Sequence, residues 1–269
     1  MMKMNPRYRL ISAAAVGLFA ASSLFGFSPQ TWQFGSGEGR DGDGGFALLT
    51  VPNEAGADTA QWSVTADALR LTSSAGAPYN DFSAILPMSG LGGTNLQNFT
   101  ITLEGTLISI GTDSWSYRGG IVALGDGALG TDYGTTDHYV ASLHRIQSSE
   151  RRLRLAVGPG GSTLVQTTPD SLSSEDAFTV RLEGTYDSEG ALTMVASTWY
   201  NNDMGTMWTV GPHTVASPRD GTYFGIGGRL RSETEVDFHN LSIVPEPATY
   251  AFVGGLLALG LVLIRRRVR

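Results

Sequence analysis

Apolar and polar residues alternate over short runs along the middle of this chain of 269 residues. In FTITLEGTLISI, residues 99–110, the alternation places Phe99, Ile101 and Leu103 on one face of an extended segment. FTVRLEGTY, residues 178–186, repeats this pattern almost letter for letter. Because successive side chains of a β-strand point to opposite sides, a period of two predicts strands that each bury one face. Windows with the 3.6-residue period of an amphipathic helix do not extend beyond about two turns.

Polar turns rich in glycine, asparagine and aspartate separate the alternating runs. ALTMVASTW, residues 191–199, follows FTVRLEGTY across the polar stretch at 187–190, and this arrangement predicts a hairpin. The other predicted strands are ALRLTS from Ala68, GGIVALG from Gly119, HYVASLH from His138, RLRLAV from Arg152, YFGIGG from Tyr223 and EVDFHNLSIV from Glu235. This series of short strands without a linker predicts an all-β fold, an antiparallel two-sheet sandwich formed by residues 28–243 as one domain.

Charge is distributed unevenly along the chain. All 25 acidic residues lie in the middle, whereas seven of the 18 basic residues lie at the ends, namely Lys3, Arg7, Arg9, Arg265, Arg266, Arg267 and Arg269. The middle therefore carries 18 − 7 = 11 basic residues and a net charge of 11 − 25 = −14. Such a surface repels nucleic acid, so we expect no nucleic-acid partner. The chain has no cysteine, which excludes thiol nucleophiles, thiolate metal sites and disulfides.

The first 27 residues have the build of a secretory signal peptide. A basic start is followed by an apolar run from Leu10 to Phe27, with small residues near its far end. Ala21 and Ser23 satisfy the small-x-small rule for cleavage, and a cut after Gly26 is the other candidate. An uncleaved N-terminal anchor is the alternative to a removed signal peptide. The signal peptide predicts an exported protein.

The C-terminal segment, residues 244–269, has the build of a membrane-spanning helix. Its uncharged run from Ala248 to Ile264 has 17 residues, which as a helix span about 26 Å, just enough for the core of a bilayer. The arginine cluster behind this run should stay cytoplasmic, so Arg265, Arg266, Arg267 and Arg269 are predicted to stop transfer through the membrane. The preceding tripeptide, residues 245–247, then lies at the outer membrane face. It is extended, because its two prolines fix φ.

Val-Pro-Glu-Pro at 244–247, the Gly- and Leu-rich apolar stretch and the terminal arginine cluster, in this order, resemble the PEP-CTERM sorting signal. The resemblance implies recognition of Pro245, Glu246 and Pro247 by a membrane-embedded exosortase that removes the apolar tail. It also implies a Gram-negative bacterium that secretes polysaccharide, with the secretion machinery as a further partner. Physical reasoning alone predicts a permanent anchor, and only the resemblance makes the tail a removable tag.

The middle of the chain resembles the laminin-G-like and concanavalin-like jelly-roll sandwiches. The resemblance is carried by FTVRLEGTYDSEGALTMVAS, residues 178–197, and by a last strand, VDFHNLSI, that leads directly into the tail. Some relatives of this architecture are glycoside hydrolases with E-x-D-x-x-E on one strand. This chain has Glu235 and Asp237, but Asn240 occupies the final position. Glycosidases need two carboxyl groups on opposite sides of the scissile bond, so we expect that the domain is not an enzyme.

Asp41 and Asp43 are the candidate metal ligands. They lie in a flexible loop, GRDGDGG, that resembles the opening of a calcium-binding loop, although Pro52 occupies the position where an EF-hand needs glutamate. A simple turn is the alternative. The four histidines show no spacing typical of metal ligands, so no cofactor is expected apart from calcium at this loop.

Four aromatic residues in polar surroundings are the candidate ligand-binding residues. Trp115 and Tyr117 belong to TDSWSYRGG, which reads as a polar loop, and Trp199 and Tyr200 precede NNDMGTMW. Exposed rings beside polar side chains stack on sugars while their neighbours bind the hydroxyl groups. The alternative is that these rings cap the ends of the core.

These features predict an exported, non-enzymatic protein of the cell envelope or extracellular matrix. It is expected to pass through an inner-membrane intermediate and to reach the cell surface, outer envelope or matrix. The sandwich should bind the secreted polysaccharide or have a structural role in it. The alternatives are a polysaccharide hydrolase, which would show two acids ~5–10 Å apart in a groove, and a passive surface protein, which would show a flat face.

Overall fold

The structure is a computed structural model that describes residues 30–34, 47–52, 60–74, 80–87, 98–109, 115–125, 138–146, 150–157, 163–168, 176–231 and 233–245. Within these ranges fifteen β-strands are arranged in two sheets, and no helix occurs. The strands are β1 (Gln30–Gln33), β2 (Ala47–Pro52), β3 (Gln61–Val64), β4 (Leu69–Thr72), β5 (Asn80–Pro87), β6 (Phe99–Ser109), β7 (Trp115–Gly125), β8 (Tyr139–Ile146), β9 (Glu150–Val157), β10 (Thr163–Thr167), β11 (Ala177–Tyr186), β12 (Leu192–Tyr200), β13 (Asp203–Val215), β14 (Tyr223–Leu230) and β15 (Glu235–Pro245).

The two sheets have separate strand orders and only antiparallel pairings among the described strands. The first sheet has the order β13-β12-β11-β6-β15-β4-β3, and β1 pairs with β15 beyond the end of β4. The second sheet has the order β10-β9-β8-β7-β14-β5-β2. All nine strands predicted from alternation overlap observed strands. The prediction of an all-β antiparallel sandwich with two sheets is therefore confirmed.

Both predicted end segments fall outside the described residues, except at one boundary. The predicted sandwich ended at residue 243, but β15 continues for two more residues, with Val244 opposite Thr100 and Pro245 opposite Phe99. The first proline of the predicted sorting tripeptide thus belongs to the last strand of the sandwich. None of the described segments forms a helix that is long and apolar enough to cross a membrane.

A single large core lies between the two sheets. Alternation turns Ile101 and Leu103 of β6 inward from the first sheet and Ile121 of β7 inward from the second, and each is less than 1% exposed. Aromatic rings meet across the interface: Phe82 of the second sheet lies 6.2 Å from Phe238 of the first, measured between ring centroids. Burial of this apolar surface is the main force that holds the sheets together.

The near-repeat of FTITLEGT and FTVRLEGT has a structural explanation in the pairing of β6 with β11. Phenylalanine and glycine are six residues apart in each copy, and antiparallel pairing places Phe99 opposite Gly184 and Phe178 opposite Gly105. Both rings are 1% exposed and cover the opposing glycine. Each copy thus supplies the space that the ring of the other copy fills.

Candidate functional site

The structure separates the four aromatic residues that the sequence singled out. Trp115 and Tyr117 lie in β7 and not in a loop, and the side chain of Trp115 is outside the described part of the structure. Tyr117 is 1% exposed and stacks on Phe82 with 6.5 Å between ring centroids. Its ring has no face open to a sugar, so the prediction for Tyr117 as a ligand-binding residue is corrected: it belongs to the core.

Trp199 and Tyr200 are neighbours on β12 and therefore point to opposite sides of the first sheet. Tyr200 is 6% exposed and packs in the core, which corrects its prediction as a sugar-binding residue as well. Trp199 is half-buried on the outer side of the first sheet, opposite Thr179 of β11. The two rings do not form one platform.

The predicted metal and sorting residues cannot be placed together in a site. Asp41, Asp43, Glu246, Pro247 and the terminal arginine cluster lie outside the described residues. In the part of the chain that is described, no group of three or more His, Asp or Glu side chains could hold a metal ion.

Glu235 and Asp237 of the hydrolase-like pattern are both bound by one arginine on the outer side of the first sheet. Arg70 of β4 donates through Nε and Nη2 to the two carboxylate oxygens of Asp237, each at 2.7 Å, and its Nη1 lies 2.8 Å from Glu235 Oε1. The hydrogen bond to Asp237 is the largest of the effects that raise the pKa of Arg70. Val236 and Phe238, which alternate with these acids, point inward. Asn240 donates to Glu104 Oε2 at 2.7 Å. These contacts tie β4, β15 and β6 together and give the acids a structural role.

A different surface, the outer face of the second sheet, brings chemistry-bearing side chains together. Tyr117 and Ile121 point inward, so residues 118, 120 and 122 of β7 point outward, and the strand register extends this assignment across the sheet. We call this surface the arginine face; it comprises Asp81, Ser83, Arg118, Ser142, His144, Arg152, Arg154, Tyr223 and Arg229, with Ile85, Gly120, Val122, Gly225 and Gly227 between them.

The side chains of the arginine face form lines that cross the strands. The strand register places Asp81, Arg229, Arg118, His144 and Arg152 in one line, on β5, β14, β7, β8 and β9. The next line comprises Ser83, Gly227, Gly120, Ser142 and Arg154, and the third begins with Ile85, Gly225 and Val122. A charged line, a small polar line and an apolar line thus lie side by side.

Two polar atoms in the middle of the arginine face are buried and have no hydrogen-bond partner in the structure. All fifteen described strands belong to the two sheets, so none of them packs on this face. Even so, Ser83 is 1% exposed and His144 is 4% exposed. Ser83 Oγ and His144 Nδ1 have no hydrogen-bond partner in the structure, whereas His144 Nε2 lies 2.7 Å from Ser142 Oγ. Buried polar atoms are almost always hydrogen-bonded, so these two atoms are exceptions with unused hydrogen-bonding capacity.

Four arginines lie on the arginine face. One of them, Arg229, is bound by Asp81, whose carboxylate accepts from Arg229 Nε at 2.6 Å and from Nη2 at 3.3 Å. Asp81 is the single acid whose side chain is described on the strands of this sheet. Burial, followed by the charges of Arg154, Arg118 and Arg152, lowers the pKa of His144 well below 6.5. His144 is therefore neutral at pH 7 and presents a hydrogen-bonding imidazole among guanidinium groups.

Glycines occupy the centre of the face on β7 and β14. Arg118-Gly119-Gly120 of β7 runs antiparallel to Gly227-Gly228-Arg229 of β14, with Gly120 directly opposite Gly227 on the outer side. On the inner side a Cβ atom at Gly119 would lie 2.6 Å from the Tyr117 hydroxyl oxygen, and one at Gly228 would lie 2.8 Å from Phe82 Cζ. Tyr223 packs on Ile85 and Val122 beside these glycines and forms the apolar part of the face.

Sequence reasoning missed this site, although a signal was present. Arg118 directly precedes one predicted strand, GGIVALG, and Arg229 directly follows another, YFGIGG, so that Arg-Gly-Gly at 118–120 is mirrored by Gly-Gly-Arg at 227–229. The alternation R-x-R at 152–154 places two arginines on one side of a third predicted strand. The sequence does not say that β7 and β14 are neighbours in this register, and only that pairing brings the arginines together.

Comparisons with known proteins identify the fold. No family model and no curated protein matches the chain. Among solved structures, the exoplasmic/lumenal domain of VIP36 in its Ca²⁺-bound form is 13% identical, with a TM-score of 0.51, and the match covers 80% of this chain and 89% of that one. The globular domain of T. cruzi calreticulin is 11% identical, with a TM-score of 0.49 and coverage of 89% and 99%. The carbohydrate recognition domain of Emp47p is 13% identical, with a TM-score of 0.46 and coverage of 74% and 88%. The likeness to VIP36 shows a lectin-like, concanavalin-like sandwich.

Proposed function

We propose that this chain is an exported protein whose β-sandwich binds carbohydrate on the arginine face. The observation that carries the proposal is the pair of buried polar atoms Ser83 Oγ and His144 Nδ1, which have no hydrogen-bond partner in the structure. Carbohydrate sites combine polar groups that bind hydroxyls with an aromatic or apolar surface that packs on the ring. The arginine face has both kinds of group, because Tyr223, Ile85 and Val122 form an apolar cluster on it.

The proposed activity is binding of carbohydrate without hydrolysis. Glycosidases need a pair of carboxyl groups, and Asp81, which Arg229 holds, is the one acid whose side chain is described on the strands of the second sheet. The acidic pair Glu235 and Asp237 lies on the first sheet, where Arg70 binds both carboxylates. The domain of VIP36 has also been solved with Ca²⁺ and Man₃GlcNAc. Because the likeness to VIP36 identifies the fold alone, the proposal stands on the residues of this chain.

The test of carbohydrate binding is a comparison of two aromatic variants. The purified full chain is run by affinity electrophoresis through gels that contain neutral or acidic polysaccharides, beside Tyr223→Ala and Trp199→Ala. We expect retardation of the parent chain and of Trp199→Ala, and a weaker effect for Tyr223→Ala, because only Tyr223 lies on the arginine face. Loss of retardation in Trp199→Ala alone would place the site on the first sheet. No retardation by any polysaccharide would leave a passive surface protein.

Export and processing at the C-terminus form the second part of the proposal. The predicted signal peptide, residues 1–27, and the resemblance of residues 244–269 to an exosortase substrate support a protein that is released outside the inner membrane. Because β15 ends at Pro245, a cut after the tripeptide would leave every pair of that strand with β6 in place. The intact mass of the protein recovered from a host with the sorting machinery tests this. A mass that lacks the residues beyond Pro247 is expected, and a Glu246→Gln variant should keep them. A parent chain that retains its arginine cluster would be an ordinary membrane anchor.

A further inference from the structure

Two exposed methionines lie on β13, the strand at one end of the first sheet. Met204 is 54% and Met207 is 47% exposed, and apart from Val244 they are the large apolar side chains that the described part of the chain exposes. The third described methionine, Met194, is fully buried. Single apolar side chains on a surface need no explanation. Two that are exposed and close together raise the question of what they bind.

The pairing of β13 with β12 brings the two methionines close together. Asp203 lies opposite Tyr200. The ladder then resumes with Trp208 opposite Thr198, so five steps along β13 correspond to two steps along β12. Two steps of a strand cover about 7 Å and five would cover about 17 Å, so residues 204–207 loop out of the ladder. We call these four residues the methionine bulge, since a methionine stands at each of its ends.

Hydrogen bonds to the neighbouring backbone hold the methionine bulge in place. Tyr200 N donates to Thr206 Oγ1 at 3.2 Å, and this hydroxyl group donates to the carbonyl oxygen of Asp203 at 2.7 Å. Gly205 N donates to Asp203 Oδ1 at 2.8 Å. The polar side chains of Asp203 and Thr206 thus bind the backbone of the same hairpin. The bulge presents two thioether groups to solvent on a backbone that is fixed at both ends.

The chemistry of thioether sulfur identifies the kind of ligand. Thioethers are soft, uncharged ligands that select Cu(I), whereas carboxylate and carbonyl oxygens suit Ca²⁺ and Mg²⁺. Thiolates would compete for the same ion, but the chain has no cysteine. Trp199 of β12 lies on the outer side of the first sheet, on the strand that pairs with β13, and an indole ring attracts a cation that is bound beside it.

We propose that Met204 and Met207 form a binding site for Cu(I), in which both thioether sulfur atoms coordinate one ion. Methionine is unbranched and has three rotatable bonds, so two methionines whose backbones are held a few ångströms apart bring their sulfur atoms to one ion without moving the strand. The site lies on the first sheet and the arginine face on the second. Binding of Cu(I) is therefore a property separate from the proposed binding of carbohydrate, and the failure of either proposal leaves the other in place.

The first experiment observes the methionines directly. The full chain is labelled with ¹³C in its methionine methyl groups and titrated with Cu(I), kept reduced by ascorbate without oxygen. We expect the methyl signals of Met204 and Met207 to shift together and to reach their end point at one ion per chain, while the signal of the buried Met194 stays. Zn²⁺, which prefers thiolate, imidazole and carboxylate ligands, should shift neither signal. A titration that moves neither methyl group, or only one of them, would overturn the proposal.

The second experiment separates the sulfur atoms from the apolar bulk of the side chains. Met204→Leu and Met207→Leu keep the size of the side chain and remove the sulfur, and competition with a Cu(I) chelator measures the affinity of each variant. Each should bind Cu(I) at least about tenfold more weakly than the parent, because even the loss of an outer-shell partner costs about 10–100-fold in metal affinity. Met194→Leu makes the same change in the core and should bind like the parent. Thermal unfolding checks that each variant is folded. Unchanged affinity in Met204→Leu or Met207→Leu, or an equal loss in Met194→Leu, would refute the site.

Discussion

Replacing Gly184 with alanine tests the explanation of the FT-x-x-LEG repeat. A Cβ atom at Gly184 would lie 2.5 Å from Cε1 and 2.9 Å from Cε2 of Phe99, and closer still to Cζ. The ring cannot swing into solvent, because Phe99 is 1% exposed and its centroid lies 5.9 Å from that of Phe224 on the opposite sheet. The added methyl group must therefore push the ring into a filled core.

The expected cost of Gly184→Ala follows from two opposing effects. Overpacking of a core costs about 1–3 kcal/mol, while the lower entropy of the unfolded chain returns about 0.4–1 kcal/mol. The free energy of unfolding should then fall by roughly 1–2 kcal/mol. For a domain of this size each kcal/mol shifts the melting temperature by about 2–4 °C, so we expect a decrease of about 2–8 °C.

A double-mutant cycle separates this clash from a general effect of alanine in a strand. Urea unfolding is measured for Gly184→Ala, Phe99→Leu and the double variant, with the exposed Thr185→Ala on the same strand as a control. With the smaller leucine opposite, Gly184→Ala should cost almost nothing, which gives a coupling energy of about 1–2 kcal/mol. If Gly184→Ala costs the same in both backgrounds, the ring of Phe99 does not need the glycine, and the explanation of the repeat is wrong.

Other consequences of the structure can be measured in the same way. Arg70→Met leaves Asp237 and Glu235 side by side without their guanidinium group, so it should lower the free energy of unfolding by about 2–3 kcal/mol. Asp237→Asn in the same chain should restore part of this loss. An unchanged urea midpoint for Arg70→Met would contradict the structural role of Arg70. The pKa of His144 is lowered on folding, so as pH falls the unfolded chain takes up the proton at a higher pH than the folded chain does. The free energy of unfolding should therefore fall as pH drops below about 6.5, by at most ~1.4 kcal/mol per pH unit. His144→Gln should remove that slope and His213→Gln should keep it, if the imidazole among Arg118, Arg152 and Arg154 is the group that titrates. Met204→Ser and Met207→Ser should change stability by less than about 0.5 kcal/mol, because these side chains are 54% and 47% exposed.

The predicted strands were correct where one face is buried and the other is not. β6, with the burial pattern BiBiBiBiBii, and β4, with BiBi, have the alternation that the sequence shows. β13 was missed because its burial pattern, eeeeeieBeeiei, is that of an edge strand with one buried residue, Val210. A strand that buries so little carries no periodic signal, and its position follows only from its pairing with β12.

Strand β5, which contributes to the candidate site, was not predicted because it is buried on both faces and not because it is exposed. In β5, residues 80–85 are all buried, although Asp81, Ser83 and Ile85 point away from the core. The burial alternation disappears in such a strand because both of its faces are buried, so NDFSAILP carries no period-two signal. The prediction of Tyr117 as a sugar-binding residue was wrong for a related reason. An aromatic residue in a polar segment can still point inward, as Tyr117 does. Which side a residue faces depends on the strand register, and register is set by partners far away in the sequence.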